Sequence, residues 1–171
     1  DMAIKELMTA LRLDPSLISA ADRLGRIFQE VGMYRKAIDY YSKEAEIEPS
    51  PGLFGMIGML HLKQKEYEKA IKYFQKALYL DNSYTSARTN MLAAYHLWAD
   101  ELIKKGKSKS AVDVLNGALR LFSDSRVIYY DLGTAYNKSG DKEKAIEYYK
   151  KALEIEPSFS PAKSDIATCM N

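Results

Sequence analysis

Apolar residues recur at helical spacing along almost the whole chain, and the runs are interrupted at short, regular intervals by Gly, Pro and small polar residues. Gly32, Gly106 and Gly140 stand where a helix must stop, because Gly takes the left-handed cap conformation without strain. Pro49 and Pro157 block continuation of the helices before them. The pattern predicts ten helices, over 1–13, 18–31, 34–48, 51–64, 67–80, 84–105, 108–121, 126–138, 142–155 and 160–170. Asp39 to Lys43, Glu68 to Lys72 and Glu147 to Lys151 are acid-to-base steps of four, expected to pair on solvent faces.

The helices repeat. Ala37-Ile38-Asp39-Tyr40-Tyr41 and Ala145-Ile146-Glu147-Tyr148-Tyr149 are near copies, and Ala70-Ile71-Lys72-Tyr73-Phe74 is a third. The best-formed unit is 126–159, with Tyr129 at its position 4, Leu132 at 7, Gly133 at 8, Tyr136 at 11, Ala145 at 20, Tyr149 at 24, Ala152 at 27 and Pro157 at 32. This resembles the tetratricopeptide repeat, with Tyr standing for Trp and Phe. Unit 18–50 keeps Leu24, Gly25, Phe28, Ala37, Tyr41 and Pro49 but has Glu44 where Ala is expected. Unit 51–91 keeps Phe54, Ile57, Gly58, Ala70, Phe74 and Ala77, with His61 for Tyr. Unit 92–125 keeps Tyr95, Ala99, Ala111 and Ala118, with Trp98 at 7 and Leu115 at 24. Residues 1–17 read as a half repeat and 160–171 as a partial repeat or cap. The chain begins at Asp1 rather than Met, which reads as a processed or excised piece.

The resemblance implies an all-α, right-handed superhelical solenoid of antiparallel helix pairs, one array over 1–171. The physics agrees: Gly and Ala at 8, 20 and 27 let paired helices approach closely, and aromatics at 4, 11 and 24 fill the gaps between pairs. The unit starting at 51 is seven residues longer than a standard repeat, and no Gly or Pro lies between Asn82 and Gly106. The extra residues are therefore expected within one long helix, adding about 10 Å. Glu44 stands at a crossing position, and an unpaired buried charge is costly, so its helix is expected to rotate slightly or Glu44 to find a basic partner.

Composition narrows the function. One cysteine, Cys169, excludes an internal disulfide, and two histidines could complete a zinc site only with carboxylates. A net charge of +2 gives no cause to expect nucleic acid. The longest nearly apolar run is too short to cross a membrane, so no insertion is expected, and a cytoplasmic location is favoured. Neither a metal, a cofactor nor a catalytic group is expected: Gly52-x-x-Gly55-x-x-Gly58 lacks the strand and Lys-Ser/Thr of a phosphate loop, and His96 has no paired nucleophile.

What the resemblance implies is recognition of a peptide or helix of a partner protein along a groove built from the first helix of each repeat. Carried onto this sequence, the groove positions include Arg23 and Arg26, then Gly55, Met56, Met59 and Leu62. They continue with Ala93, His96 and Leu97, the positions shared by both registers of the long helix (counting from Thr85 adds Ser86, Thr89 and Asn90). In the fourth repeat they are Tyr130, Asp131, Thr134 and Asn137. The expected groove is charged first and apolar in the middle, where adaptable methionines suit varied ligands. The carboxylate clamp of chaperone-tail binders is not expected, because its Lys and Asn positions here hold Asp22, Arg26 and Met56. Two other roles fit the same residues: self-assembly of copies, and docking or regulation within a larger enzyme.

Overall fold

The computed structural model describes residues 2–170, and all ten helices expected among them are present. They fall into two compact units, one running up to Met91 and the other starting at Leu92. The first unit holds α1 (Met2–Leu13), α2 (Ile18–Glu30), α3 (Tyr34–Ile47), α4 (Pro51–Lys63), α5 (Tyr67–Leu80) and the start of α6 (Thr85–Lys104). The second holds the rest of α6, α7 (Ser108–Leu119), α8 (Arg126–Ser139), α9 (Lys142–Ile155) and α10 (Ser160–Met170). Boundaries agree with the sequence pattern to within two residues. The seven additional residues are helical: α6 is unbroken for 20 residues, from Thr85.

Local chemistry sets the ends. Ser50 accepts from the Leu53 amide at 3.3 Å, with Pro51 in the first turn of α4, and Asp141 accepts from the Lys144 amide at 3.1 Å. Gly32, Gly106 and Gly140 have φ of 75°, 72° and 89°, so each closes its helix in the left-handed region. The α4–α5 turn makes the same closure with Lys65 at φ 59°. In all four turns the amide following this residue reaches back to a carbonyl five residues earlier, as Glu66 does to His61 at 3.0 Å.

Paired helices meet at the small-residue seats. An added Cβ would lie 2.5 Å from Tyr41 Cε1 at Gly25, 2.6 Å from Phe74 Cε1 at Gly58, and 2.5 Å from Tyr149 Cε1 at Gly133. Real carbon contacts begin near 3.5 Å, so each ring lies flat on bare backbone. The unit 92–125 has Ala99 and Leu115 at the equivalent positions, both fully buried. Ala37, Ala70, Ala77, Ala111, Ala118, Ala145 and Ala152 are likewise fully buried.

A second recurring device was not legible from periodicity. In the first unit Lys36 Nζ lies 5.0 Å from the Phe28 ring, Phe28 stacks on Tyr40 at 5.6 Å, and Lys43 Nζ lies 5.3 Å from Tyr40. The second unit repeats this with Lys144, Tyr136, Tyr148 and Lys151, the rings stacked at 5.3 Å and 9°. Around α4 and α5, His61 takes the inner ring's place, 5.2 Å from Tyr73, and Lys76 caps Tyr73 at 4.8 Å. These ladders of ring faces and ammonium groups account for Tyr40, Tyr73 and Tyr148, which lie one residue before the signature aromatic. Lys43 turns to its ring instead of pairing with Asp39, whereas Glu68–Lys72 and Glu147–Lys151 form ion pairs at 2.9 and 2.6 Å.

Glu44 behaves differently from expectation. Its Oε2 is buried and has no hydrogen-bond partner, and Arg26, the cation whose charge acts on it, is engaged with Asp22 at 2.9 Å. Burial, then the Asp22 charge, raises the Glu44 pKa.

Candidate functional site

In the first unit, α2, α4 and the start of α6 enclose a cleft of about 340 Å³. Met56, Met59, Leu60 and Lys63 of α4 line it, the two methionines as its apolar wall. Ser86 and Asn90 of α6 and Gln29 of α2 line it as well. Gly52 has open space where a side chain would be, so the backbone of α4 is accessible there. Gly55 is buried, and a Cβ would lie 3.1 Å from the Tyr84 ring. Gln29 is tied to the core by Tyr41, whose hydroxyl donates to Gln29 Oε1 at 3.3 Å. Burial of that phenol pushes its pKa up to about 12, so it stays a donor across the neutral range.

Among the groove residues expected in this unit, Gly55, Met56 and Met59 line the cleft. Met56 also packs on the Leu24, Tyr41 and Ile57 cluster, so it serves wall and core together. Leu62 is half-buried and lies off the cleft wall. Arg23 and Arg26 are exposed and also lie off it. Tyr84 and Leu60 line the cleft although first-helix counting does not select them: Tyr84 is in the turn before α6, and Leu60 falls between groove positions.

In the second unit, the expected residues lie on α6 and α8, and His96, Tyr130, Asp131 and Thr134 among them make polar contacts. His96 Nδ1 lies 2.7 Å from Asp131 Oδ2, with the Asp131 side chain 9% exposed and that of His96 45%. The hydrogen bond to Asp131, whose carboxylate accepts, raises the His96 pKa. Asp131 is also raised, because burial outweighs the histidine that lowers it. Tyr130 donates to Asp165 Oδ2 at 2.8 Å, and its ring meets Phe159 edge-on at 5.1 Å. Burial, then Asp165, raises that phenol's pKa. Thr134 donates back to the Tyr130 carbonyl at 3.1 Å. Ala93 and Asn137 are half-buried, and Leu97 is 41% exposed.

The remaining candidate chemistry is structurally engaged. His61 is buried, stacked on Tyr73 and bonded to Glu66 at 2.6 Å. Cys169 is buried in a cluster with Tyr149 and Ala162. In the basic turn, Lys104 pairs with Asp100 at 2.6 Å and Lys105 pairs with Glu101. Among the described residues there is no cluster of three or more His, Cys, Asp or Glu able to hold a metal ion, and no helix is long and apolar enough to cross a membrane.

Antiparallel helix pairs, glycine seats under aromatic rings and left-handed closures at one register define an all-α helical-repeat array. Family models described as tetratricopeptide repeat match residues 20–52, 53–84 and 127–159, more than half the chain. The chain belongs to the tetratricopeptide repeat family. Curated relatives include the anaphase-promoting complex subunit CDC16 of Saccharomyces cerevisiae, 27% identical over 95% of this chain and 19% of the relative. Heat shock protein STI1 of the same organism is 32% identical over 53% of this chain and 15% of its own length. The chain thus spans about a fifth or less of these two relatives. Two solved structures share the fold. MamA of Desulfovibrio magneticus has a TM-score of 0.54 at 22% identity, covering 89% of this chain and 82% of that one. YrrB, a TPR protein with an unusual peptide-binding site, has a TM-score of 0.52 at 24% identity, covering 95% and 80%.

Proposed function

We propose that this chain is a non-enzymatic scaffold that holds a peptide or helix of a partner protein in the cleft between α2, α4 and α6. The observation that carries this is the cleft itself: an apolar methionine wall, accessible backbone at Gly52, and the side chains of Gln29, Ser86, Asn90 and Lys63 around it. Apolar walls supply the burial on which affinity rests, and a few placed polar groups fix orientation. Relatives named as a subunit of an assembly and as a peptide-binding repeat protein support the reading. Both histidines are engaged with carboxylates, His61 with Glu66 and His96 with Asp131. The repeats carrying the scaffold are 18–50, 51–91, 92–125 and 126–159, with half or partial repeats at the ends.

Selection of a displayed peptide library against the whole chain tests this. Selected peptides should lose at least tenfold in affinity for Met59→Glu, while circular dichroism shows unchanged helicity. Undiminished binding to that folded variant would remove the cleft as the site.

A further inference from the structure

The ladder of rings and lysines occurs at one register in both units, and its two full copies differ in how their lysines are neutralised. In the second unit Lys144 pairs with Asp141 at 3.0 Å and Lys151 with Glu147 at 2.6 Å. The register equivalents in the first unit are Lys36 and Lys43. Met33 takes the place of Asp141, and Asp39 takes the place of Glu147 without reaching Lys43. Among the described residues, Lys36 and Lys43 have no carboxylate within ion-pair distance; their ammonium groups rest on ring faces alone. Lys5 and Arg12 of α1 likewise have no such partner, Arg12 donating to Thr9 at 3.2 Å.

These four cations rim one surface. Between α1 and α3 lies a cleft with two lobes of about 580 Å³ each, and Met8, Tyr40 and Lys43 line both. Its apolar lining is left in water: Met8 is 48% exposed, Val31 61% and Met33 49%. Asp39 lines the same cleft, so its walls carry four cations against one carboxylate. The cations fall in two rows. Lys5 and Arg12 are seven residues apart on α1, and Lys36 and Lys43 are seven apart on α3. Seven residues is two helical turns, about 10 Å.

We propose that this cleft docks an acidic amphipathic helix of a partner protein. Its apolar stripe covers Met8, Val31 and Met33, and carboxylates at seven-residue intervals on both flanks meet the two rows of cations. The partner then supplies at Lys36 and Lys43 the carboxylates that the second unit supplies to Lys144 and Lys151 from its own chain. Two rows of matching pitch beside an apolar floor fit the two flanks of one helix, as charged positions flank the seam of a coiled coil. This site uses none of the residues of the α2–α4–α6 cleft, so it stands or falls separately from the function proposed above.

The test is fluorescence anisotropy with the whole chain and a labelled 21-residue peptide, leucines on one face and glutamates on both flanks, beside a matched peptide with lysine for glutamate. The acidic peptide should bind and the basic one should not. Lys36→Glu with Lys43→Glu should weaken binding at least tenfold, Lys36→Gln with Lys43→Gln should weaken it severalfold, and Met59→Glu should leave it unchanged. Any of four results overturns the proposal: no binding, equal binding of the two peptides, indifference to both pairs of lysine substitutions, or loss with Met59→Glu. Two others replace its occupant: lysine-dependent binding of phosphatidylserine vesicles without peptide binding, and concentration-dependent dimerisation abolished by the same lysine variants.

Discussion

The glycine seats make a quantitative prediction at Gly133. Adding one methyl group there places Cβ 2.5 Å from Tyr149 Cε1, about 1 Å inside ordinary contact. The ring has little room to retreat: Tyr149 is 1% exposed, its neighbour Tyr130 lies at 5.5 Å, and its hydroxyl reaches Thr134 at 3.4 Å. Overpacking of this kind costs about 1–3 kcal/mol, while exchanging Gly for Ala inside a helix returns about 1 kcal/mol. Gly133→Ala should therefore destabilise the chain by up to about 2 kcal/mol, read as a lower urea midpoint at unchanged slope. Tyr149→Leu alone leaves a cavity and should cost about 2 kcal/mol. The double variant recreates the alanine–leucine combination that Ala99 and Leu115 present, fully buried, in the neighbouring repeat. Its cost should fall below the sum of the two single changes by about 1 kcal/mol or more. A Gly133→Ala protein more stable than its parent, or a double variant showing plain additivity, would refute the steric reasoning.

Three further outcomes follow from residues that depart from the repeat's own rule. Glu44→Ala installs the residue found buried at the same position in the other repeats, and should raise stability by about 1 kcal/mol at neutral pH by removing an unsatisfied buried oxygen. Because burial raises the Glu44 pKa, the parent is penalised as pH rises through that value, so the gain from Glu44→Ala should shrink in acid denaturation series near pH 4. Lys65→Gly should stabilise by up to about 1 kcal/mol in urea unfolding, since φ of 59° strains a side chain and the three equivalent turns use Gly. His96 and Asp131 both have raised folded pKa values, so the native state holds protons that the unfolded chain releases. Stability should decline as pH rises from the ordinary histidine value of 6.5 through the raised one, and His96→Gln should flatten that part of the profile; an identical slope in the variant would count against the pair.

How much of this was legible in the sequence depended on whether the signal was periodic. Gly32, Gly106 and Gly140 marked three helix ends because left-handed backbone selects Gly, but Lys65 makes the same turn and no residue preference reveals it. The extra residues before Leu92 carried helical spacing and no breaker, so the long α6 could be foreseen. The ladders could not: Tyr40, Tyr73 and Tyr148 fall where a helix faces solvent, and only the partner helix's ring at 5–6 Å gives them a role. Groove counting selects Met56 and Met59, which line the cleft from one helix, and passes over Tyr84, which lines it from a turn. Glu44 was marked as anomalous by register alone, yet its expected cation was already committed to Asp22. Periodicity orders residues along a helix and is silent about which of two acids a single Arg26 will choose.

The ladders also bear on how the molecule meets concentrated salt. At molar ionic strength the screening length shrinks to about 3 Å, and exposed pairs such as Glu68–Lys72 lose most of their attraction. An ammonium group over a ring is held at contact range by the ring's quadrupole, with its methylene stem laid on apolar surface that salt makes less welcome in water. Such contacts join one helix to the next at α2–α3, where Lys36 lies over Phe28, at α4–α5, where Lys76 lies over Phe54, and at α8–α9, where Lys144 lies over Tyr136. The cohesion of those pairs is thereby placed in interactions that brine leaves standing, while the ion pairs along single helices can fade without parting one helix from the next.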